Sequence, residues 1–233
     1  MSLRTFNPAR QVYFISTHLD DVILSCSHYI SANPGVFVIT ALAGAPPVYK
    51  DQNDWNVRTT GKNYAPEALK VRKLEDAKAM AVLKAKPIWA ELPEALYVKD
   101  GKQDELTIAN ELERVLKKEQ PHSVVFPVGL HHSDHIAVSN ACIKLVENFD
   151  LDWYLYLDMP YANKLSHYVE TRLTEIANTG KKVETLEPFQ SKSSIKYEAF
   201  KLYSSQFQPI KDAFSDFDES MTAPELYWQL WSV

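Results

Sequence analysis

The stretch Val12-Tyr13-Phe14-Ile15-Ser16-Thr17-His18-Leu19-Asp20-Asp21-Val22 decides how this chain reads. Residues 12–15 form a short apolar run expected to be a buried strand, and the periodic apolar pattern from Val22 to Ile30 predicts a helix. One imidazole and two adjacent carboxylates therefore occupy a strand-to-helix turn, the place where open α/β sheets carry their chemistry. His18 and Asp21 are three residues apart, so their side chains can converge on one point in the first helical turn. Asp20 is rotated away from the Asp21 direction and is free to act beside such a pair.

A second polar cluster is built on the same plan. The apolar run Val124-Val125-Phe126-Pro127-Val128 leads into Gly129-Leu130-His131-His132-Ser133-Asp134-His135, and a periodic run follows over 136–146. If the two strands are parallel neighbours, their C-terminal ends point the same way and the clusters face each other across a crevice. His131 and His135 are four apart, a spacing by which helices present two imidazoles to one ion. Gly129 and the Ser133-Asp134 capping signal predict a later helix start, which favours His135 alone as the ligand from this cluster.

Outward from these clusters the chain alternates strands and helices. Residues 36–42 are continuously apolar and β-branched, as in a strand covered on both faces. Pro66 opens a helix to residue 84, with Lys86-Pro87 expected to end it; 96–98 is a short strand candidate; 105–119 is an amphipathic helix stopped before Pro121. Strands are expected at 124–128 and 153–157 and a helix at 193–206. Residues 161–188 give no clear pattern, and the aromatic, acidic segment 207–233 reads as a mixed tail packed onto the domain. The loop 43–65, with Tyr49, Trp55, Arg58 and Tyr64, reads either as a cover for the crevice that contacts substrate or as a solvated excursion. The whole implies one α/β domain with a Rossmann-like, mostly parallel sheet and helices on both faces: a core over about 10–157 and an extension over about 158–233. A nucleotide-binding version needs a glycine-rich first turn, whereas here two aspartates would repel a pyrophosphate.

Composition narrows the function further. The chain has 233 residues, 45% of them hydrophobic, enough for one sizeable core, and a net charge of -5 with no basic stripe to neutralise a phosphate backbone. Nucleic acid is not an expected partner. No run approaches the ~20 apolar residues of a membrane span, and the first ten residues have no apolar leader core, so a soluble, cytoplasmic protein is expected. Cys26 and Cys142, its two cysteines, both fall in predicted helices and read as reduced, buried thiols.

Imidazole and carboxylate together suit Zn²⁺ or another divalent transition metal, and two histidines with one carboxylate leave a coordination position for water. With no cysteine in either cluster, a catalytic metal is a better expectation than a structural one. At this point the residues resemble the LmbE/PIG-L-like metal-dependent deacetylases, which remove acetyl groups from N-acetylglucosaminyl and related substrates. Their first motif is usually His-Pro-Asp-Asp-Glu, which His18-Leu19-Asp20-Asp21-Val22 matches at three positions of five; their second is usually His-Pro-Asp-His, which His132-Ser133-Asp134-His135 matches at three of four. The resemblance continues through Arg72 and Glu75 of an Arg-x-x-Glu and through Lys196, Tyr203, Ser205 and Gln206 late in the chain.

The resemblance implies that His18, Asp21 and His135 bind the metal and that Asp20 is the general base for a metal-activated water. It implies further that His132, in protonated form, stabilises the oxyanion, with Asp134 orienting His132. Arg72 would contact a substrate hydroxyl or serve the structure, against the plainer alternative of a helix-surface ion pair with Asp76; Asp100 is a weaker substrate-binding candidate. The implied substrate is an N-acylated amino sugar or related small amide. The loss of the usual glutamate at Val22 keeps a second reading open, a metal-containing carbohydrate-binding or scaffold protein with weakened turnover. A homo-oligomer is compatible with everything above.

Overall fold

The two apolar runs that precede the polar clusters become neighbouring strands of one sheet. In the computed structural model, which describes residues 3–8, 11–45, 54–98, 101, 103–164, 166–191 and 193–232, eight strands are present: β1 (Arg4–Thr5), β2 (Val12–Ser16), β3 (Phe37–Thr40), β4 (Lys86–Trp89), β5 (Ser123–Pro127), β6 (Asp152–Tyr156), β7 (Lys181–Glu187) and β8 (Tyr227–Ser232). Their order across the sheet is β1-β7-β8-β6-β5-β2-β3-β4. β2 pairs in parallel with β3 on one side and β5 on the other, and all five residues of both β2 and β5 are buried. Burial on both faces is why these strands read as unbroken apolar runs rather than alternating ones. Each fully enclosed side chain such as Phe14, Ile15 or Phe126 contributes roughly 1.5–3 kcal/mol of burial.

Ten helices accompany the strands among the described residues: α1 (Asp21–Ala32), α2 (Asp54–Thr60), α3 (Ala65–Leu83), α4 (Glu105–Glu119), α5 (Ser133–Leu145), α6 (Tyr161–Lys164), α7 (Ser166–Ala177), α8 (Ile195–Phe200), α9 (Phe207–Ala213) and α10 (Phe217–Thr222). From β2 the chain steps through α1 to β3 and through α3 to β4; from β5 it steps through α5 the opposite way, to β6. Right-handed crossovers running in opposite directions place their helices on opposite faces. Accordingly α1 packs with α3 and α8, and α4 packs with α5. The reversal lies between β2 and β5, so the crevice at their C-terminal ends is the switch point where such sheets bind ligands.

Several expectations are corrected. Lys86-Pro87 does not merely end a helix: α3 stops at Lys84 in left-handed conformation, and Pro87 lies inside edge strand β4 opposite Val38. An edge strand tolerates a proline because one side of it needs no donor. Residues 95–97 form a 3-10 turn rather than a strand, and the helix expected over 193–206 is confined to α8, with turns beyond it. The segment after 158 completes the sheet: β8 pairs antiparallel with both β6 and β7, and β1 joins the far edge beside β7. Buried Glu225 ties this tail to α1 by accepting the His28 and Tyr29 backbone N–H groups at 2.8 and 2.9 Å and standing 3.4 Å from Lys196 Nζ. Cys26 and Cys142 are free and buried. No described helix is long and apolar enough to cross a membrane.

Candidate metal centre and active site

The β2-to-α1 turn is bonded within itself and is tied from outside by Tyr203 Oη, which donates to the Leu19 carbonyl at 2.7 Å. Ser16 Oγ donates to the His18 carbonyl at 2.6 Å and accepts the Val22 N–H at 3.1 Å, while the His18 N–H donates to Asp21 Oδ2 at 2.7 Å. Val22, where a glutamate is usual, is fully buried. Asp20 is the N-cap residue of α1, yet its carboxylate makes no capping bond and lines the adjacent cavity instead.

The β5-to-α5 turn needs unusual backbone. Gly129 has φ +87°, and a Cβ there would stand 2.6 Å from Ser139 Cβ, so only glycine fits. His131, at φ +63°, is exposed and is in neither group of converging donor atoms. α5 begins only at Ser133, so the continuous helix that a His131–His135 pair requires is not formed. His132 is the N-cap; its Nδ1 accepts the Asp134 N–H at 3.2 Å, which leaves Nε2 to carry the ring proton.

Across the crevice the two turns meet. His18 Nδ1 and His135 Nε2 each stand 3.1 Å from Asp21 Oδ2, and the donor atoms of all three residues lie within 4.8 Å of one another. His135 Nε2 is buried and makes no hydrogen bond. The remaining nitrogen of each ring is held by a carboxylate: His18 Nε2 by Asp134 Oδ2 at 3.0 Å, His135 Nδ1 by Asp158 Oδ1 at 2.7 Å. Those carboxylates are themselves fixed, Asp134 by the Ala95 N–H at 3.1 Å and Asp158 by the Gly129 N–H at 2.9 Å. Metal-binding histidines use this support to set ring orientation and raise ligand basicity. The donor set therefore fits a divalent ion with nitrogen and oxygen ligands. His18, His132 and Asp134 also lie within 4.8 Å of one another, but there the His18 and Asp134 atoms already bond to each other.

Charge follows the same pattern. Burial opposes ionisation of His18 and His135, but Asp21 and the supporting carboxylates outweigh it, holding His18 well above the usual imidazole range and His135 at about 9. Asp21, for which burial alone would favour protonation, is held well below the carboxylate range by His135 and His18. Burial and the charge of Asp21 push Asp20 up to about 6, partly offset by Arg72. Burial and the positive His18 push His132 down from the usual imidazole range.

Of the implied site residues, His18, Asp20, Asp21, Arg72, His132 and Asp134 line one cavity of about 430 Å³, and His135 is enclosed behind it. Asp134 supports His18 rather than orienting His132 through its carboxylate. Arg72 is not paired with Asp76: it bonds Glu94 at 2.5 Å and stands 3.9 Å from Asp20, while Asp76 accepts from Trp89 Nε1 and meets Tyr203 Oη. Asp100 lies outside the described residues. Asp158, Glu94 and Tyr161 belong to the site and were missed; Asp158 carried a signal, a carboxylate at the C-terminal end of a further parallel strand. The later motif residues converge as well, since Glu75 accepts from Ser205 N–H, Ser205 Oγ and Ser204 Oγ.

Residues 13–146 match the PIG-L family, described as GlcNAc-PI de-N-acetylase. The chain belongs to this family. No curated protein matches it. Among solved structures, a deacetylase of the teicoplanin biosynthesis pathway shares the fold at TM-score 0.74 with 22% identity over 94% of this chain and 97% of that one. The N,N'-diacetylchitobiose deacetylase of Pyrococcus horikoshii does so at 0.55 with 16% identity over 95% and 84%. The 4-carboxy-2-hydroxymuconate hydratase GalB of Pseudomonas putida does so at 0.52 with 13% identity over 95% and 96%. One fold thus carries more than one reaction, and the chemistry must be argued from the site.

Proposed function

We propose that this chain is a divalent-metal-dependent hydrolase that removes an acyl group, acetyl in the simplest case, from an N-acylated amino sugar or a related small amide. The observation that carries the reading is the donor set His18, Asp21 and His135, each histidine backed by its own carboxylate, beside a carboxylate not spent on capping or ligation, Asp20. Zinc or another divalent transition metal held by these three residues would supply Lewis acidity to a water and to the amide carbonyl.

The chain's own residues do the rest. Asp20, made more basic than an ordinary carboxylate by burial beside Asp21, takes a proton from water as its oxygen attacks the acyl carbon. His132 Nε2–H donates to the carbonyl oxygen as that atom becomes negative, an interaction stronger in the transition state than in the ground state. When the C–N bond breaks, Asp20 returns its proton to the departing nitrogen, so acid and amine are released with atoms balanced. Arg72 and Glu94, paired on the cavity wall, offer a donor and an acceptor for ring hydroxyls. Free, buried Cys26 and Cys142 are consistent with a reducing cytoplasmic location.

The test is acetate release from a panel of N-acetylglucosamine-type substrates by protein of measured metal content. Activity should vanish on chelation and return with Zn²⁺. A metal-loaded protein that releases no acid from any member of the panel would refute the proposal.

A further inference from the structure

We propose that Trp55 walls a second subsite, which holds the next sugar ring of an oligosaccharide beyond the ring that bears the acylamino group; this rests on the amino-sugar reading above. Beside the cavity of the metal cluster lies another of about 620 Å³, and the two share Trp55 and Ala213 as a common wall. That second cavity mixes apolar surface from Trp55, Pro209 and Ala213 with hydroxyl, amide and charged groups of Arg58, Thr59, Ser204, Ser205, Gln208 and Asp212. A flat apolar ring beside a few hydrogen-bonding groups suits a ligand with C–H faces and hydroxylated edges, which describes a sugar.

The indole is anchored by a relay of the late motif residues. Glu75 on α3 accepts from Ser205 Oγ at 2.6 Å, Ser205 Oγ accepts from Gln206 Nε2 at 2.9 Å, and Gln206 Oε1 accepts from Trp55 Nε1 at 3.1 Å. Ser205 and Gln206 are 6% and 2% exposed, so the relay is largely interior. Arg58, three residues on along α2, sets its guanidinium 5.0 Å from the ring centroid. A side chain fixed at both its polar edge and its face is preorganised, and ordering it costs a ligand little. The relay thus couples the loop that sequence left undecided to the helix carrying Arg72.

The experiment titrates N-acetylglucosamine, its disaccharide and trisaccharide, and its phenyl glycoside against the metal-loaded protein by calorimetry, with deacetylation rates measured in parallel. The disaccharide should bind about 5- to 10-fold more tightly than the monosaccharide, in line with one aromatic stacking contact, with little further gain from the trisaccharide. Trp55→Ala should abolish most of that gain and Trp55→Phe should retain most of it. The double variant Gln208→Ala/Asp212→Ala, whose positions are exposed and no threat to folding, should also reduce it. Equal affinity for one ring and two, a gain that survives all these substitutions, or no binding of any ligand overturns the subsite. A phenyl glycoside that gains as much as the disaccharide overturns its assignment to a sugar. A Trp55-dependent gain without any deacetylation keeps the subsite and sinks the hydrolase reading alone.

Discussion

The two strand-to-helix turns that make the candidate metal centre supply similar side chains and are held in different ways. The first has its side-chain bonds within itself: Ser16, His18 and Asp21 bond inside one short segment, and the Ala41 and Leu42 N–H groups and Tyr203 Oη, which reach it from elsewhere, meet its carbonyls and not the side chains of His18 or Asp21. The second is imposed from outside. His135 is oriented by Asp158 at the end of β6, and Asp158 also holds Gly129, whose backbone only glycine can adopt against Ser139. A compact motif can be complete in its own segment or be only half of a contact whose other half lies on another strand. His18 stands between these cases, since its own turn places Asp21 beside Nδ1 and the other turn's Asp134 holds Nε2.

The sharpest way to break this contrast is at Asp20. If the first turn's ligands are placed without the Asp20 carboxylate, Asp20→Asn leaves the metal content unchanged while kcat falls ~10²- to 10⁴-fold, the usual worth of a positioned base. Loss of metal along with activity would mean that Asp20 belongs to the ligand support. A smaller effect is expected at the carboxylates behind the histidines. Asp158→Asn and Asp134→Asn should each weaken metal affinity about 10- to 100-fold, measured by competition with a fluorescent chelator. Asp158→Asn should in addition lower the urea midpoint, because it disturbs the Gly129 backbone; equal stability of the two variants would erase the distinction between the turns.

The smallest effect concerns the far end of α1. His28 is 2% exposed and both its ring nitrogens lack a hydrogen-bond partner in good geometry, and burial together with Lys196 pushes its pKa down to about 4. A neutral histidine in the folded chain that titrates near 6.5 when unfolded contributes stability fully present above pH 6.5 and lost as pH falls toward 4. That loss amounts to about 2 kcal/mol by pH 5. The difference in unfolding free energy between wild type and His28→Gln, followed from pH 7 to pH 5, should shift by that amount in the wild type's disfavour; a constant difference would show that His28 titrates alike in the folded and unfolded chain.

Legibility followed the same division. β2, α1, α4 and β5 are legible because each obeys a strong local rule: an unbroken apolar run or a regular apolar stripe. β4 was hidden by Pro87, which signals an end in most contexts and is tolerated here only because the strand is at an edge. β8, Tyr227–Ser232, was hidden because its rationale lies in two partners distant in sequence. Glu94 escaped notice for a similar reason, as its partner Arg72 is 22 residues away.

The order of residues along the chain determined which groups could act: two turns rich in histidine and aspartate, each at the end of an apolar strand, with no glycine-rich phosphate cradle in the first. It also determined the parallel alternation that sends both turns to one edge of the sheet. Only the tertiary structure decided that Asp134 serves His18, that Asp158 serves His135, that His132 keeps its proton on Nε2, and that Trp55 is anchored by Gln206. Local pattern reports backbone direction and burial, which depend on near neighbours. Hydrogen-bond partners are chosen by whichever segments packing brings within about 3 Å, and that choice is made by the whole fold.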